Sequence, residues 1–233
     1  MCHLKLFIIT GISRGLGEQL VTQLTQHKQR IIGIGRTFTR EQNILATSNS
    51  NLLTLIGFDL ANTLSFNELK IELDSKINDN AIEVIFVNNA GIVNPISKVG
   101  NIKEDADVER HINVNYLMPV LLTNYLLNKH RGPMKILNIS SGAAEASIEG
   151  WSLYCSSKKA IKTFLDVVNK ENMQLTVEHI DPGVMNTRMQ KNIRECSVED
   201  FPTLNHFRGL KNNNKLMSPE DVARKIIKGY LIK

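Results

Sequence analysis

The sequence predicts an α/β chain built on a doubly wound parallel sheet, with helices on both faces in three α/β/α layers. Three observations predict it. Strand-like apolar runs alternate with helix-period segments along the 233 residues, the order of strand–helix–strand units rather than of hairpins. Runs such as Leu4–Thr10 are continuously apolar instead of alternating, as strands covered on both faces are. The first run ends on Thr10-Gly11-Ile12-Ser13-Arg14-Gly15-Leu16-Gly17, a glycine turn into a helix, at the carboxyl end of a strand where such sheets hold ligands.

Each element follows in order from the residues. Leu4–Thr10 is the first strand, stopped by the glycine turn. Gly15–Lys28 is a helix, because Leu16, Leu20, Val21 and Leu24 make one apolar stripe. Arg30–Ile34 is the second strand and Leu52–Phe58 the third, and the polar residues 37–51 between them carry only a weak helix signal. Leu64–Ile77 is helical and Ile82–Val87 is the fourth strand. A long helix covers Ala106–His130, with Pro119 taken as a kink. Met134–Ile139 is the fifth strand, Ser152–Asn172 a second long helix, and Leu175–Ile180 the sixth strand, stopped by Asp181-Pro182-Gly183. Residues 183–216 read as irregular and polar. Ser218-Pro219-Glu220-Asp221 opens the last helix, with a Ser cap, Pro in the first position and acids in the first turn.

A chain of this length is expected to form one domain over residues 1–233, with a substrate loop or lid at about 183–217. Hydrophobic content of 42% with 22% charged residues is that of a soluble globular protein. Apolar stretches such as Ile82–Val87 and Leu117–Leu122 are too short to span a bilayer, and the amino-terminal residues lack a signal-peptide pattern. Cys2, Cys155 and Cys196 are scattered and show no metal-ligand spacing, which predicts reduced thiols in a cytoplasm and no metal. Cys155 has no His base among its neighbours, so it is not read as a nucleophile. Residues 188–233 hold ten Lys/Arg against five Asp/Glu, and the first 187 residues are balanced. No aromatic residues interleave with these basic ones to make a stacking platform, so a solvated face is preferred to a nucleic-acid surface.

The chemistry concentrates in a few motifs. In the glycine turn, Gly11 suits the tight turn, Gly15 a close approach of backbone to pyrophosphate, and Gly17 close packing of helix on sheet. The helix amino-terminus then offers free N–H groups to phosphates. Asn88-Asn89-Ala90-Gly91 follows the fourth strand with small residues that let backbone pass close to a ribose. Tyr154 and Lys158 share a helix face four residues apart, and Ser141 precedes Tyr154 by 13 residues. Bringing a Tyr from near ~10 to neutrality needs roughly 4 kcal/mol of preference for phenolate, which a fixed ammonium and a positive nicotinamide can supply.

These motifs resemble those of the short-chain dehydrogenase/reductase superfamily. Thr10–Gly17 is similar to its TGxxxGxG turn, Asn88–Gly91 to its NNAG, Ser141, Tyr154 and Lys158 to its Ser and Tyr-x-x-x-Lys set, and Pro182-Gly183 to its late PG. The likeness runs from residue 4 to about residue 230 and implies a Rossmann-type sheet. The segments at residues 139–144, 150–155, 182–187, 199–201 and 216–220 further resemble bacterial (S)-benzoin-forming benzil reductases, a group related to sepiapterin reductases.

The resemblance implies roles residue by residue. Tyr154 would protonate the substrate oxygen, Ser141 would orient that oxygen, and Lys158 would hold the nicotinamide ribose and lower the Tyr pKa. Asn115 would hold a water for proton delivery, with Asn113 as the competing candidate. Cofactor contacts are implied at Gly11, Ser13, Arg14, Gly15, Leu16 and Gly17. Others are implied at Arg36, Asp59 and Leu60, at Asn89, Ala90 and Gly91, at Tyr154 and Lys158, and at Pro182, Gly183, Val184 and Thr187. No carboxylate ends the second strand; Gly35 stands there, followed by Arg36, and Arg14 lies in the glycine turn. Two guanidinium groups beside that ribose favour a 2′-phosphate, hence NADP(H).

Trp151, Val184, Met185 and Met189 would line an apolar pocket for a ketone or diketone, with Trp151 equally readable as core. The expected activity is NADPH-dependent carbonyl reduction of a small molecule. The alternatives are a 3-oxoacyl-carrier reductase, kept open by the basic tail, and an NADP(H)-sensing regulator without turnover. The superfamily further implies a homodimer or homotetramer, and a seventh strand after the last helix; the sequence given stops at Lys233, inside or just after that helix, so this strand is either missing or cut off.

Overall fold

The computed structural model describes residues 5–77 and 83–232. Leu4 and Ile82, with which the expected first and fourth strands begin, lie outside the described residues, as do Cys2 and Lys233. Six strands form one sheet: β1 (Lys5–Thr10), β2 (Arg30–Gly35), β3 (Leu53–Gly57), β4 (Glu83–Asn88), β5 (Met134–Ile139) and β6 (Leu175–Ile180). Their order is β3-β2-β1-β4-β5-β6 and every pairing is parallel. The direction of winding reverses between β1 and β4, so the glycine turn after β1 and the Asn-rich turn after β4 lie side by side.

Alternate residues of each strand feed two cores. Leu6, Ile8, Ile32, Phe86 and Ile136 pack on one face under α3 (Phe66–Asp74), α5 (Met118–Lys129) and α6 (Ser152–Glu171). Phe7, Ile9, Ile31, Ile85 and Leu137 pack on the other under α1 (Gly15–Gln26) and α9 (Pro219–Ile226). Burial on both faces is why these strands read as unbroken apolar runs. The segment between β2 and β3 holds α2 (Arg40–Ser48), more definite than its sequence suggested. Thr39 and Gln42 close a capping box at its start, and Gln42 Nε2 donates to the Ile12 carbonyl at 2.9 Å, tying α2 to the glycine turn.

Two expectations are corrected. The long helix does not simply kink at Pro119: α4 (Asp105–Ile112) runs into a π turn at Asn113–Leu117, and α5 follows with Pro119 in its first turn. Proline has no N–H and its ring crowds the carbonyl four residues back, here that of Asn115. The helix widens to accommodate this, and the Met118 N–H reaches the Asn113 carbonyl five residues back. Residues 183–216 are not irregular. They contain α7 (Arg188–Arg194) and α8 (Leu204–Asn212), whose Ile193, Leu204 and Phe207 join Phe201 in a third core around Trp151 and Tyr154. Tertiary packing stabilises helices too short to hold alone. The base of this segment is closed by a parallel bridge between Met185 and Met217, with Asn186 N–H on the Met217 carbonyl at 2.9 Å and Met217 N–H on the Val184 carbonyl at 3.1 Å. After α9 comes a π turn at Ile227–Leu231, and no seventh strand occurs among the described residues.

Candidate active site

The carboxyl ends of β1 and β4 are pinned together by side chains of the turns themselves. Thr10 Oγ1 accepts the N–H groups of Asn89 and Ala90 at 3.2 and 3.1 Å, and Asn89 Nδ2 donates to the carbonyls of Thr10 and Gly11 at 2.8 and 3.2 Å. Gly11 has φ +73°, and a Cβ there would lie 2.8 Å from Ala90 Cα. A Cβ on Gly17 would run into the Gly11 carbonyl oxygen. This cradle therefore admits only bare backbone. Helix α1 opens from Arg14 with no side-chain cap, which leaves its first N–H groups for a ligand.

Beside the cradle lies a cavity of about 1330 Å³, larger than the usual site for one drug-sized molecule. The volume and the backbone cradle fit a nicotinamide dinucleotide together with a small substrate. Of the residues singled out in the sequence, Gly11, Ser13, Arg14, Gly15, Leu16 and Gly17 line it, as do Arg36, Asp59, Leu60, Asn89, Ala90 and Gly91. So do Ser141, Trp151, Tyr154, Lys158, Pro182 and Gly183, and Val184, Met185, Thr187 and Met189. Asn115 does not: it is buried behind the Gly91–Ile92 wall. There its Oδ1 accepts the Ile92 N–H at 2.9 Å and its Nδ2 donates to the Ile92 carbonyl at 2.7 Å. Asn113 turns away, donating to the Ala61 carbonyl at 3.0 Å.

Helix α6 buries Tyr154, Ser157, Lys158, Ile161, Leu165 and Val168, one stripe at helical spacing. That stripe puts the phenol and the ammonium on the sheet side. Lys158 Nζ donates to the Ile139 carbonyl at 2.8 Å and lies 5.9 Å from the centre of the Tyr154 ring. Ser141 hydrogen-bonds the Tyr154 side chain from the end of β5. The electrostatics differ from expectation. Burial pushes the Tyr154 phenol up to about 12, against the Ser141 hydrogen bond that favours ionisation. Burial also pulls Lys158 down to about 8. Desolvation thus dominates at both groups, and the phenol of the protein alone is a protonated acid at neutral pH.

Asp181 is a residue whose importance its sequence did not announce. It follows β6, accepts the Gly183 N–H at 2.9 Å through Oδ1, and turns Oδ2 toward Gly142, next to Ser141. Its negative charge raises the pKa of both Tyr154 and Lys158. A phenol can give a proton only while it holds one, so any reaction in which Tyr154 is the acid should slow as pH rises through these pKa values. Asp181→Asn lowers both, and the alkaline limb of the pH–rate profile should move about 0.5–1 unit to lower pH. A limb that stays in place would show that solvent screens this exposed carboxylate.

Three guanidinium groups, Arg14, Arg36 and Arg188, crowd one end of the cavity. Arg14 is held below its ordinary value by burial and then by the charges of Arg188 and Arg36. Arg188, at the start of α7, was visible in the sequence only as part of the basic tail. Asp59 takes up part of this charge. It pairs with Arg110 at 3.3 Å and stands 4.0 Å from Arg36. At the opposite end stands Trp151. It lines the cavity and also stacks on Phe201 at 4.9 Å, meets Phe207 at 5.2 Å and stands edge-on to Tyr154 at 5.3 Å. Among the described residues no cluster of three or more His, Cys, Asp or Glu is placed to hold a metal ion, and no helix is long and apolar enough to cross a membrane.

Comparison with known proteins agrees with this geometry. Residues 5–197 match the family model described as short chain dehydrogenase. The chain is 33% identical to a benzil reductase ((S)-benzoin forming) of Bacillus cereus, covering 96% of this chain and 92% of that one. It is 34% identical to the corresponding protein of Bacillus subtilis, covering 94% and 90%. An NADPH-dependent pterin aldehyde reductase of Arabidopsis thaliana is 32% identical over 78% of this chain and 75% of its own. Among solved structures, the KRED1-Pglu enzyme superposes with a TM-score of 0.83 at 28% identity, covering 94% of this chain and 91% of that one.

Proposed function

Because this chain belongs to the short-chain dehydrogenase family, and is thereby an oxidoreductase that uses a nicotinamide cofactor, we propose that it is an NADPH-dependent reductase of ketones or diketones bearing a ring. One observation carries the reading: a phenol hydrogen-bonded to Ser141 and a buried ammonium share one cavity with a cradle only backbone fits. When bound, the nicotinamide supplies the hydride that forms the new C–H bond. Tyr154 gives its phenolic proton to the carbonyl oxygen as that bond forms, which yields the alcohol. Ser141 donates to the same oxygen and orients it. Lys158, fixed by the Ile139 carbonyl, holds its charge where phenolate develops.

The preference for the 2′-phosphate rests on Arg14, Arg36 and Arg188 standing together, and on the pterin aldehyde relative named for NADPH. The preference for a ring-bearing ketone or diketone rests on the benzil reductase relatives and on the apolar wall of Val93, Trp151, Val184 and Met189. The test is nucleotide oxidation with a panel of aromatic diketones, pterins and 3-oxoacyl thioesters, with NADH as control. NADPH with a diketone or pterin should be the fastest pair. Preferential turnover of 3-oxoacyl thioesters would move the assignment to carrier-linked reduction. Arg36→Ala should raise KM for NADPH about 10–100-fold, the worth of one charge-assisted phosphate contact, and leave KM for NADH unchanged. An equal effect on both nucleotides would refute the role of Arg36.

A further inference from the structure

Directly behind the cavity wall lies a histidine that the proposed chemistry leaves unused. His111, on the last turn of α4, is fully buried. Its Nδ1 is 2.7 Å from the Asn94 carbonyl, and its Nε2 is 2.8 Å from Asn115 Nδ2 and 3.1 Å from Ser157 Oγ. Its ring stands edge-on to that of Tyr154, with centres 6.3 Å apart.

The partners fix the protons. A carbonyl oxygen only accepts, so Nδ1 carries hydrogen. The Asn115 amide cannot be turned over, because its Oδ1 receives the Ile92 N–H and its Nδ2 faces the Ile92 carbonyl. Its Nδ2 is therefore a donor, and the Nε2 it approaches must be a lone pair. The Leu153 backbone also reaches the ring, but a second proton would set N–H against N–H at Asn115. Burial, with Lys158's charge in support, holds the imidazole below its ordinary pKa and keeps it neutral, against the pull of the backbone carbonyls. His111 and Asn115 together clamp both strands of contact: Ile92 is held by Asn115, Asn94 by His111, and each of these side chains also reaches Ser157 of α6. Ile92, Val93 and Asn94 line the cavity. A Cβ on Gly91 would meet Asn115 Oδ1 at 3.5 Å and Lys158 Nζ at 3.7 Å, so the clamped wall touches the ammonium's surroundings directly.

We infer that His111 is a positioning residue: as the Nδ1–H tautomer it locks the Gly91–Asn94 wall, through the Asn115 amide, to the helix that carries Tyr154 and Lys158. This rests on the reductase reading above, since its output is the register of wall and catalytic helix. Misplacement of about 1 Å is enough to slow a positioned reaction about a hundredfold.

The test compares His111→Phe, His111→Asn and His111→Gln. Phe keeps the ring and removes both polar contacts. Asn keeps only the donor toward Asn94, and Gln keeps an acceptor toward Asn115. The expected pattern is a kcat lower by about 10–100-fold for Phe and Asn, restored to within about threefold by Gln, with NADPH affinity (by fluorescence titration) unchanged throughout. Should the Phe variant fail to fold, Asn against Gln makes the same comparison. Packing alone predicts the reverse order, with Phe the best tolerated, and that result overturns the inference. So does a Gln variant as slow as Asn. A second readout needs no turnover: ¹⁵N NMR of the wild-type ring at neutral pH should show the Nδ1–H tautomer, and an Nε2–H signature overturns the assignment. Wild-type protein without reductase activity would instead sink the reading on which this rests and leave the NMR result standing separately.

Discussion

Tyr154→Phe is expected to lower the rate of carbonyl reduction by about 10²–10⁴-fold, the range for losing a positioned proton donor. Cofactor affinity should stay within a few fold. The separation is sharp because the ring has work apart from its hydroxyl. Its edge contacts with Trp151 and His111 involve the ring alone, and phenylalanine keeps them. What is lost is one O–H, the one hydrogen-bonded to Ser141. Burial holds the phenol at about 12, so at neutral pH it stands protonated and able to give its proton. The measurement is single-turnover reduction with saturating NADPH, beside fluorescence titration of the nucleotide. A variant that turns over at the wild-type rate would remove Tyr154 from the mechanism. One that loses nucleotide binding would give it a different role.

Lys158→Met should abolish reduction and yet raise the melting temperature. Lys158 is buried, no carboxylate pairs with it among the described residues, and its pKa falls from 10.5 to about 8. That difference amounts to roughly 3 kcal/mol acting against the charged form in the folded state. Met has a similar length and no charge. Against the gain stands the Ile139 carbonyl, which loses its donor at a cost of about 1–2 kcal/mol. The net effect is a rise of a few degrees at pH 7. The sign with pH follows from linkage. A depressed lysine pKa means that the folded protein binds fewer protons than the unfolded chain between about 8 and 10.5. The penalty is therefore full below about 8 and fades toward 10.5, and the thermal advantage of the variant should shrink over the same window. An unchanged or lower melting temperature at pH 7 would mean that the ammonium is better solvated than its burial implies.

The fifth and sixth strands were legible to the residue, Met134–Ile139 and Leu175–Ile180, the sixth because Asp181-Pro182-Gly183 stops it. The glycine turn was legible because its φ demands and close approaches can be met by glycine alone. Helices α7 and α8 were not, since each carries its packing on a pair or triplet of apolar residues, Met189 and Ile193 in one and Leu204, Phe207 and Leu210 in the other. One turn's worth of spacing is too short to stand out as a period, and the partner that gives it meaning, Trp151, lies about 40 residues or more earlier. Pro119 signalled a disturbance but not its form, since a kink and a widened turn have the same sequence signature. His111 stood four residues before Asn115, on the same helix face, which is the one signal that could have raised it. Its other partners come from the loop after β4 and from α6, and no local pattern announces a contact of that kind. Asp181 was read as a strand stop, a true statement that hid its charge from view.

The excursion from Val184 to Met217 leaves the body and returns to it through adjacent residues, knotted at its neck by the Met185–Met217 pair. A detour whose two feet stand together leaves the sheet undisturbed at its base, but it does not stand apart from the body. Ile193, Phe201, Leu204 and Phe207 fold back around Trp151 and Tyr154, so a change made inside it is felt first by the helix that carries Tyr154 and Lys158.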